Sequence, residues 1–166
     1  MSRKSASESR TAIYLADSAY GKSVDMEKAF SKCRKYLSKH KDLKLMRIYV
    51  DDKTSVVRTP GNNGRRMPLG VAGNEAWKRL LRDTETSAIE TIVIYSARTV
   101  APSISGLASI IREYFVPCRI RFIDVEAGFD SETGDVEEYL KKKTSEYRST
   151  LYGKSHSLLL FPAGRY

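Results

Sequence analysis

The stretch "YLADSAYGKS", residues 14–23, closes an apolar run and leads into an amphipathic one. The run before it, "TAIYLA" (11–16), is short and apolar and reads as a buried strand. After it, Met26, Phe30, Cys33 and Leu37 recur at spacings of four, three and four. That spacing predicts one face of a helix from Val24 to about His40, with Ser23 placed to cap it. The turn between strand and helix has two readings, and both involve phosphate. In one, Ala16, four residues and then Gly21-Lys22-Ser23 make a relaxed phosphate loop, and the chain is a P-loop-like nucleotide-binding enzyme anchored by Lys22 and Ser23. In the other, the strand end presents the hydroxyl of Ser18 to a phosphodiester.

Residue identity weighs against the first reading. A loop that wraps phosphate needs its glycines, because backbone N–H groups must turn inward around the anion. The first glycine position holds Ala16, and bulky Tyr20 stands directly before Gly21. The apolar strand "TIVIY" (91–95) also lacks a terminal Asp to hold Mg²⁺ beside such a loop.

The same alternation of short apolar runs and helical periods continues along the chain. "LKLMRIYV" (43–50) reads as a strand. Residues 51–73 hold two prolines and four glycines without a period, and include the basic Arg58, Arg65 and Arg66. A helix over about 74–83 turns Trp77, Leu80 and Leu81 inward, and "ETIVIYS" (90–96) is a strand buried on both faces. A second helix over about 103–115 buries Leu107, Ile110, Ile111 and Tyr114, and "RIRFIDV" (119–125) is a further strand. A long helix then runs from Asp135 to about Thr150, with Val136, Tyr139, Leu140 and Tyr147 inward. Strands alternating with helices predict an α/β fold with a central, mainly parallel sheet flanked by helices. The expected division is a disordered tail at 1–10, one folded domain at 11–152, and a C-terminal tail at 153–166 whose "SLLLFPAGRY" suggests an edge strand.

At 166 residues the chain has the length of one domain. No apolar run is long enough to cross a membrane and the first residues carry no apolar leader, so a cytoplasmic location is expected. Cys33 and Cys118 make no disulfide framework, and with His40 and His156 they give no metal-ligand spacing. Each cysteine is expected to be a small buried hydrophobe, and no metal or cofactor is expected. The charge is more informative: 29 Lys and Arg against 20 Asp and Glu leave a net +9. An excess of that size points to a polyanionic partner, nucleic acid before a membrane surface.

Positions far apart in the sequence favour the serine reading of the opening stretch. The chain resembles the N-terminal catalytic domain of the serine recombinases, the resolvase and invertase family. That family opens on a strand Y-x-R-x-S, and "YLADS" supplies Tyr14 and Ser18. Its second strand ends in Y-x-D and then Ser, matched by Tyr49, Asp51 and Ser55. Its third leads to D-R-L-x-R, of which "ARTVA" (97–101) keeps Arg98. Its F-D-T-S-x-x-G loop before the long helix is matched by "FDSETGD" (129–135). The resemblance implies a resolvase-like three-layer fold, DNA as partner, and a domain associated with site-specific recombination in which Ser18 attacks DNA and Arg98 supports the phosphate. It also implies assembly as a homo-dimer, or with a related recombinase, through the long helix. Lys141, Lys142 and Lys143 on that helix, with Arg58, Arg65 and Arg66, are the candidate DNA contacts.

The departures from the family pattern bear on activity. Its first-strand Arg is Ala16; in "ARTVA" the acidic residue is Ala97 and the second arginine Ala101. The Arg-Pro of its second helix aligns with Asn74-Glu75, and a Gln of its first helix with Glu27. A serine hydroxyl is a poor nucleophile, and without a metal the charge gathering on phosphorus must be met by arginines. Losing one preorganised donor slows such chemistry by roughly 10²–10³. Weak or absent strand cleavage is therefore expected, with a role as a DNA-associated or regulatory subunit. Family members also read sequence through a domain after the long helix, and only sixteen residues follow Thr150 here, so site recognition is expected to need a partner or further chain.

Overall fold

The computed structural model describes residues 7–17, 24–51, 75–100 and 104–159, with backbone alone at 104 and 150–159. Strand β1 (Ser9–Ala16) leads to helix α1 (Met26–Ser38), β2 (Leu43–Asp51), α2 (Glu75–Glu85) and β3 (Thr91–Ile94). Helix α3 (Ile104–Ser109) continues as a π-helical turn, Ile110–Phe115, before β4 (Arg121–Asp124), β5 (Phe129–Asp130) and α4 (Val136–Leu159). The strands lie in the order β2-β1-β3-β4-β5, parallel except for β5, which returns antiparallel to β4.

Alternation along β1 explains the three layers. Ile13 and Leu15 join Val93 and Ile123 against Ala29 and Cys33 of α1 on one face. Ala12, Tyr14 and Ala16 face the other way, into a larger cluster with Trp77 and Leu80 of α2, Leu107 of α3, and Tyr139 and Leu140 of α4. The Tyr14 ring meets Trp77 edge-on at 4.8 Å. The first crossover covers one face and the later ones the opposite face, as right-handed connections require when the chain moves first to one side of β1 and then to the other.

Several boundaries differ from the sequence expectation. Strand β1 begins at Ser9, so residues 9 and 10 belong to the sheet rather than to a tail; Ser9 Oγ lies 2.6 Å from Thr91 Oγ1, and Arg10 pairs with Glu90 at 3.0 Å. Helix α1 is capped by Asp25, whose carboxylate accepts from the amides of Glu27 and Lys28, and not by Ser23, which lies outside the described residues. Helix α4 runs on to Leu159, so 153–159 is helix where an edge strand was expected. The two-residue β5 is too short to carry a period and reads as loop in the sequence. Cys33 is buried, and burial pushes its thiol up to about 12; Cys118 is exposed, against expectation, beyond the π-helical turn.

One carboxylate joins three elements. Asp51, the last residue of β2, is buried and accepts from the Tyr14 hydroxyl at 2.8 Å and from the amides of Ala76 and Trp77 at 3.0 Å each. The amides at the start of α2 have no partner within the helix, so Asp51 caps it from a strand end. Asp51→Ala strands two amides and a hydroxyl in the core and is expected to destabilise the fold by about 2–4 kcal/mol. Tyr14→Phe removes one bond and should cost about 1 kcal/mol. Urea midpoints at constant slope measure both, and equal effects would refute the clamp.

Candidate functional site

The sheet order reverses direction between β1 and β3, which makes their carboxyl ends the place where an open α/β sheet binds ligands. Tyr14 pairs with Ile94, so the ends from which positions 18 and 98 are reached are neighbours in the sheet. Ser18 itself lies outside the described residues, as do Lys22, Ser23, Ser55, Arg58, Arg65, Arg66, Asn74 and Ala101.

Arg98 is described, and its setting is distinctive. It sits in a single 3-10 turn, Ala97–Thr99, just beyond β3. Thr99 fixes that turn by donating both its amide (3.1 Å) and its hydroxyl (2.7 Å) to the Ser96 carbonyl. The Arg98 Nε is buried and has no hydrogen-bond partner among the described residues. A buried donor left unpaired costs about 1–3 kcal/mol, which an acceptor able to reach it would offset.

The other strand ends carry carboxylates, and these are occupied. Asp17, after β1, accepts from the Val24 amide at 3.2 Å. Asp51, after β2, is the clamp described above. Asp124, at the end of β4, is fully buried and accepts from the Tyr139 hydroxyl at 2.7 Å and the Ala127 amide at 3.1 Å. Burial raises the Asp124 carboxyl above the usual range, and these hydrogen bonds and the charge of Lys143 only partly oppose it. Among the described residues no cluster of His, Cys, Asp and Glu is arranged to hold a metal ion. Asp17 and Asp124 do not stand out in the sequence; the one signal is an acid at the end of these two apolar runs.

Two alanines at family arginine or acid positions are part of the packing. Ala16 is 2% and Ala97 3% exposed, both within the larger core cluster. Glu27 is exposed in the first turn of α1. The "FDSETGD" segment serves the fold directly. Phe129 stacks on Tyr139 at 4.1 Å, and Asp130 holds Arg121 at 2.6 Å. Ser131 Oγ accepts the Phe122 amide, and Asp135 caps α4 through the amides of Glu137 and Glu138. A side chain at Gly134 would meet the Phe129 ring at 2.8 Å and the Asp130 carbonyl at 3.1 Å, so any larger residue there forces the ring to shift.

The lysine run on α4 divides. Lys141 and Lys142 are exposed, and Lys141 lines an open groove of about 790 Å³ between α3 and α4 with Arg112, Thr144 and Arg148. Lys143 is largely enclosed, 3.0 Å from Glu146 and above the Tyr139 ring.

No protein-family model and no curated protein matches the chain. Among solved structures, it is similar to the N-terminal catalytic domain of TP901-1 integrase, with TM-score 0.60 and 17% identity over 86% of this chain and 98% of that one. It is similar also to a resolvase family site-specific recombinase from Streptococcus pneumoniae, with TM-score 0.57 and 15% identity over 91% and 95%. The architecture is thus the α/β resolvase-like fold of serine-recombinase catalytic domains.

The raised Asp124 carboxyl gives a signed pH dependence. A folded value above the unfolded one, about 3.9, means a contribution to stability that is present below about pH 4 and lost as pH rises through the folded value. Asp124→Asn removes that ionisation. Its melting temperature relative to the native chain is expected to rise between pH 4 and neutrality, and a difference independent of pH would show that Asp124 titrates normally.

Proposed function

We propose that this chain is a serine-recombinase-type domain associated with site-specific DNA recombination, with little or no strand-cleavage activity of its own. In this reading it acts on DNA as an associated or regulatory subunit, in a homo-dimer or with an active relative. The observation that carries the reading is Arg98: a guanidinium with a sealed, unpartnered Nε beside the β1–β3 reversal, where the resemblance calls for a phosphate-binding arginine. Ser18, two residues beyond β1 in the sequence, is the nucleophile of this reading.

The same neighbourhood supports weak chemistry. Ala16 and Ala97 lie in the apolar core and offer phosphate nothing, and Asp17, Asp51 and Asp124 add negative charge around the strand ends. Such a setting supplies one arginine where several are needed to stabilise pentacoordinate phosphorus. DNA affinity then rests on the net +9 charge, with Lys141 and Lys142 as exposed contacts on α4 and Arg58, Arg65 and Arg66 as candidates in the 51–73 stretch. Helix α4 supports assembly through its length: among the described residues it gives the core Val136, Tyr139 and Leu140, all from its first turns. No helix among the described residues is long and apolar enough to cross a membrane. No observation favours the nucleotide-binding alternative.

The test is covalent capture. The protein is incubated with supercoiled DNA carrying its native flanking sequence, denatured, and examined for a DNA end linked to Ser18, with Ser18→Ala as control. Adducts are expected to be absent, or at least about 10²-fold fewer than an active recombinase forms. Abundant adducts that vanish in Ser18→Ala would overturn the inactive reading. Duplex binding is measured in parallel: affinity should fall steeply with salt, and Lys141→Glu with Lys142→Glu should flatten that slope.

A further inference from the structure

The two faces of β2 are covered unequally. Arg47, Tyr49 and Asp51 pair in register with Ala12, Tyr14 and Ala16 and look toward α2. Ile48 and Val50 pair with Ile13 and Leu15, on the face of α1. But the buried side of α1 lies on Ile13, Leu15, Val93 and Ile123, over the middle of the sheet. From the bulge near Met46 onward β2 is left bare: Met46 is 47%, Ile48 45% and Val50 47% exposed. Among the described residues only Val116 is a further large hydrophobic so exposed.

Strand β2 is also a sheet edge, paired with β1 and with no described strand on its other side. It therefore presents a row of backbone donors and acceptors beside an apolar row, the chemistry that another extended strand satisfies. We propose that β2 is an interface for a second copy of this chain, whose own β2 adds antiparallel about a two-fold axis at Ile48.

The register follows from the side chains. With Ile48 on the axis, it meets its own counterpart and Met46 meets Val50 of the second copy, so the bare apolar residues cover one another. Arg47 then meets Tyr49 of the second copy. Within one chain Arg47 (3.2 Å) and the Tyr49 hydroxyl both bind Asp83, so each Arg47 arrives beside a second carboxylate. A shift that centres Arg47 sets two guanidinium groups face to face and lays Lys44 against Val50. The opposite shift, centring Tyr49, carries Met46 past the end of β2 and sets Arg47 against Asp51, which is buried and already engaged by Tyr14, Ala76 and Trp77. Full cover of the three apolar residues selects the Ile48 register, and this interface is separate from assembly through α4.

Site-directed crosslinking tests it. In a Cys118→Ser background, with Cys33 buried, Ile48→Cys is treated with a short bismaleimide at micromolar protein. A covalent dimer is expected, while Val116→Cys, equally accessible and on the far side of the sheet, should stay monomeric. In sedimentation, Ile48→Lys with Val50→Lys should weaken self-association at least about tenfold, with an unchanged circular dichroism spectrum. Three results would each overturn the proposal: no crosslink at position 48, a dimer undiminished in the double lysine variant (which assigns it to α4), or β2 amides protected from exchange in a monomer (which assigns the strip to the chain's own segments).

Discussion

A buried carboxylate can accept about four hydrogen bonds, and the Asp51 side chain divides three among elements that would otherwise have no reason to meet. Tyr14 comes from the central strand, Asp51 from the edge strand, and Ala76 and Trp77 from the start of the helix that must carry the chain back across the sheet. Fixing that start directs α2 over β1, so that Trp77 lands on the Tyr14 ring and the next strand pairs on the far side. The reversal of strand order, and with it the crevice at the ends of β1 and β3, depends on this one side chain. Tyr14, Tyr49 and Asp51 therefore hold the fold, whatever the chemistry above them.

The crevice is electrostatically lopsided. Its described carboxylates are occupied by amides and hydroxyls, whereas its described guanidinium has an N–H without an acceptor. An anion arriving there gains one good donor and meets several negative neighbours. Binding a phosphate group and stabilising a transition state at it are different demands, and the function proposed above rests on the first rather than the second.

Much of this was legible in the sequence because burial imposes periodicity. "TAIYLA" and "TIVIY" announce strands covered on both faces, and the spacing of Trp77 and Leu80 announces the inner side of α2. The α4 cap at Asp135 and the turn at Gly134 were visible as a motif, though not as packing: that Gly134 yields to the Phe129 ring needs coordinates. Where pattern failed, short-range chemistry had competed with it. Asp25 caps α1 in place of Ser23, and the apolar tail residues extend a helix where they read as a strand because helix and strand are hard to separate in a short apolar run. Asp124 and the bare face of β2 were invisible for another reason, since each depends on which helix lies over which strand.

The two ends of the sheet differ in local frustration. At the amino end Arg121 is shared by Asp42, Asp130 and Glu132, and Arg10 meets Glu90, so every charge named there has a partner and the landscape is locally smooth. At the carboxyl end the turn after β3 holds a buried guanidinium N–H with no partner among the described residues, and the neighbouring β4 ends in a buried, raised carboxyl. A sequence selected for stability alone would have relieved both costs by replacing Arg98 and Asp124 with apolar residues. Directed evolution for thermostability would therefore be drawn to those two positions first, and the variants it favoured there would be the ones least able to hold an anion.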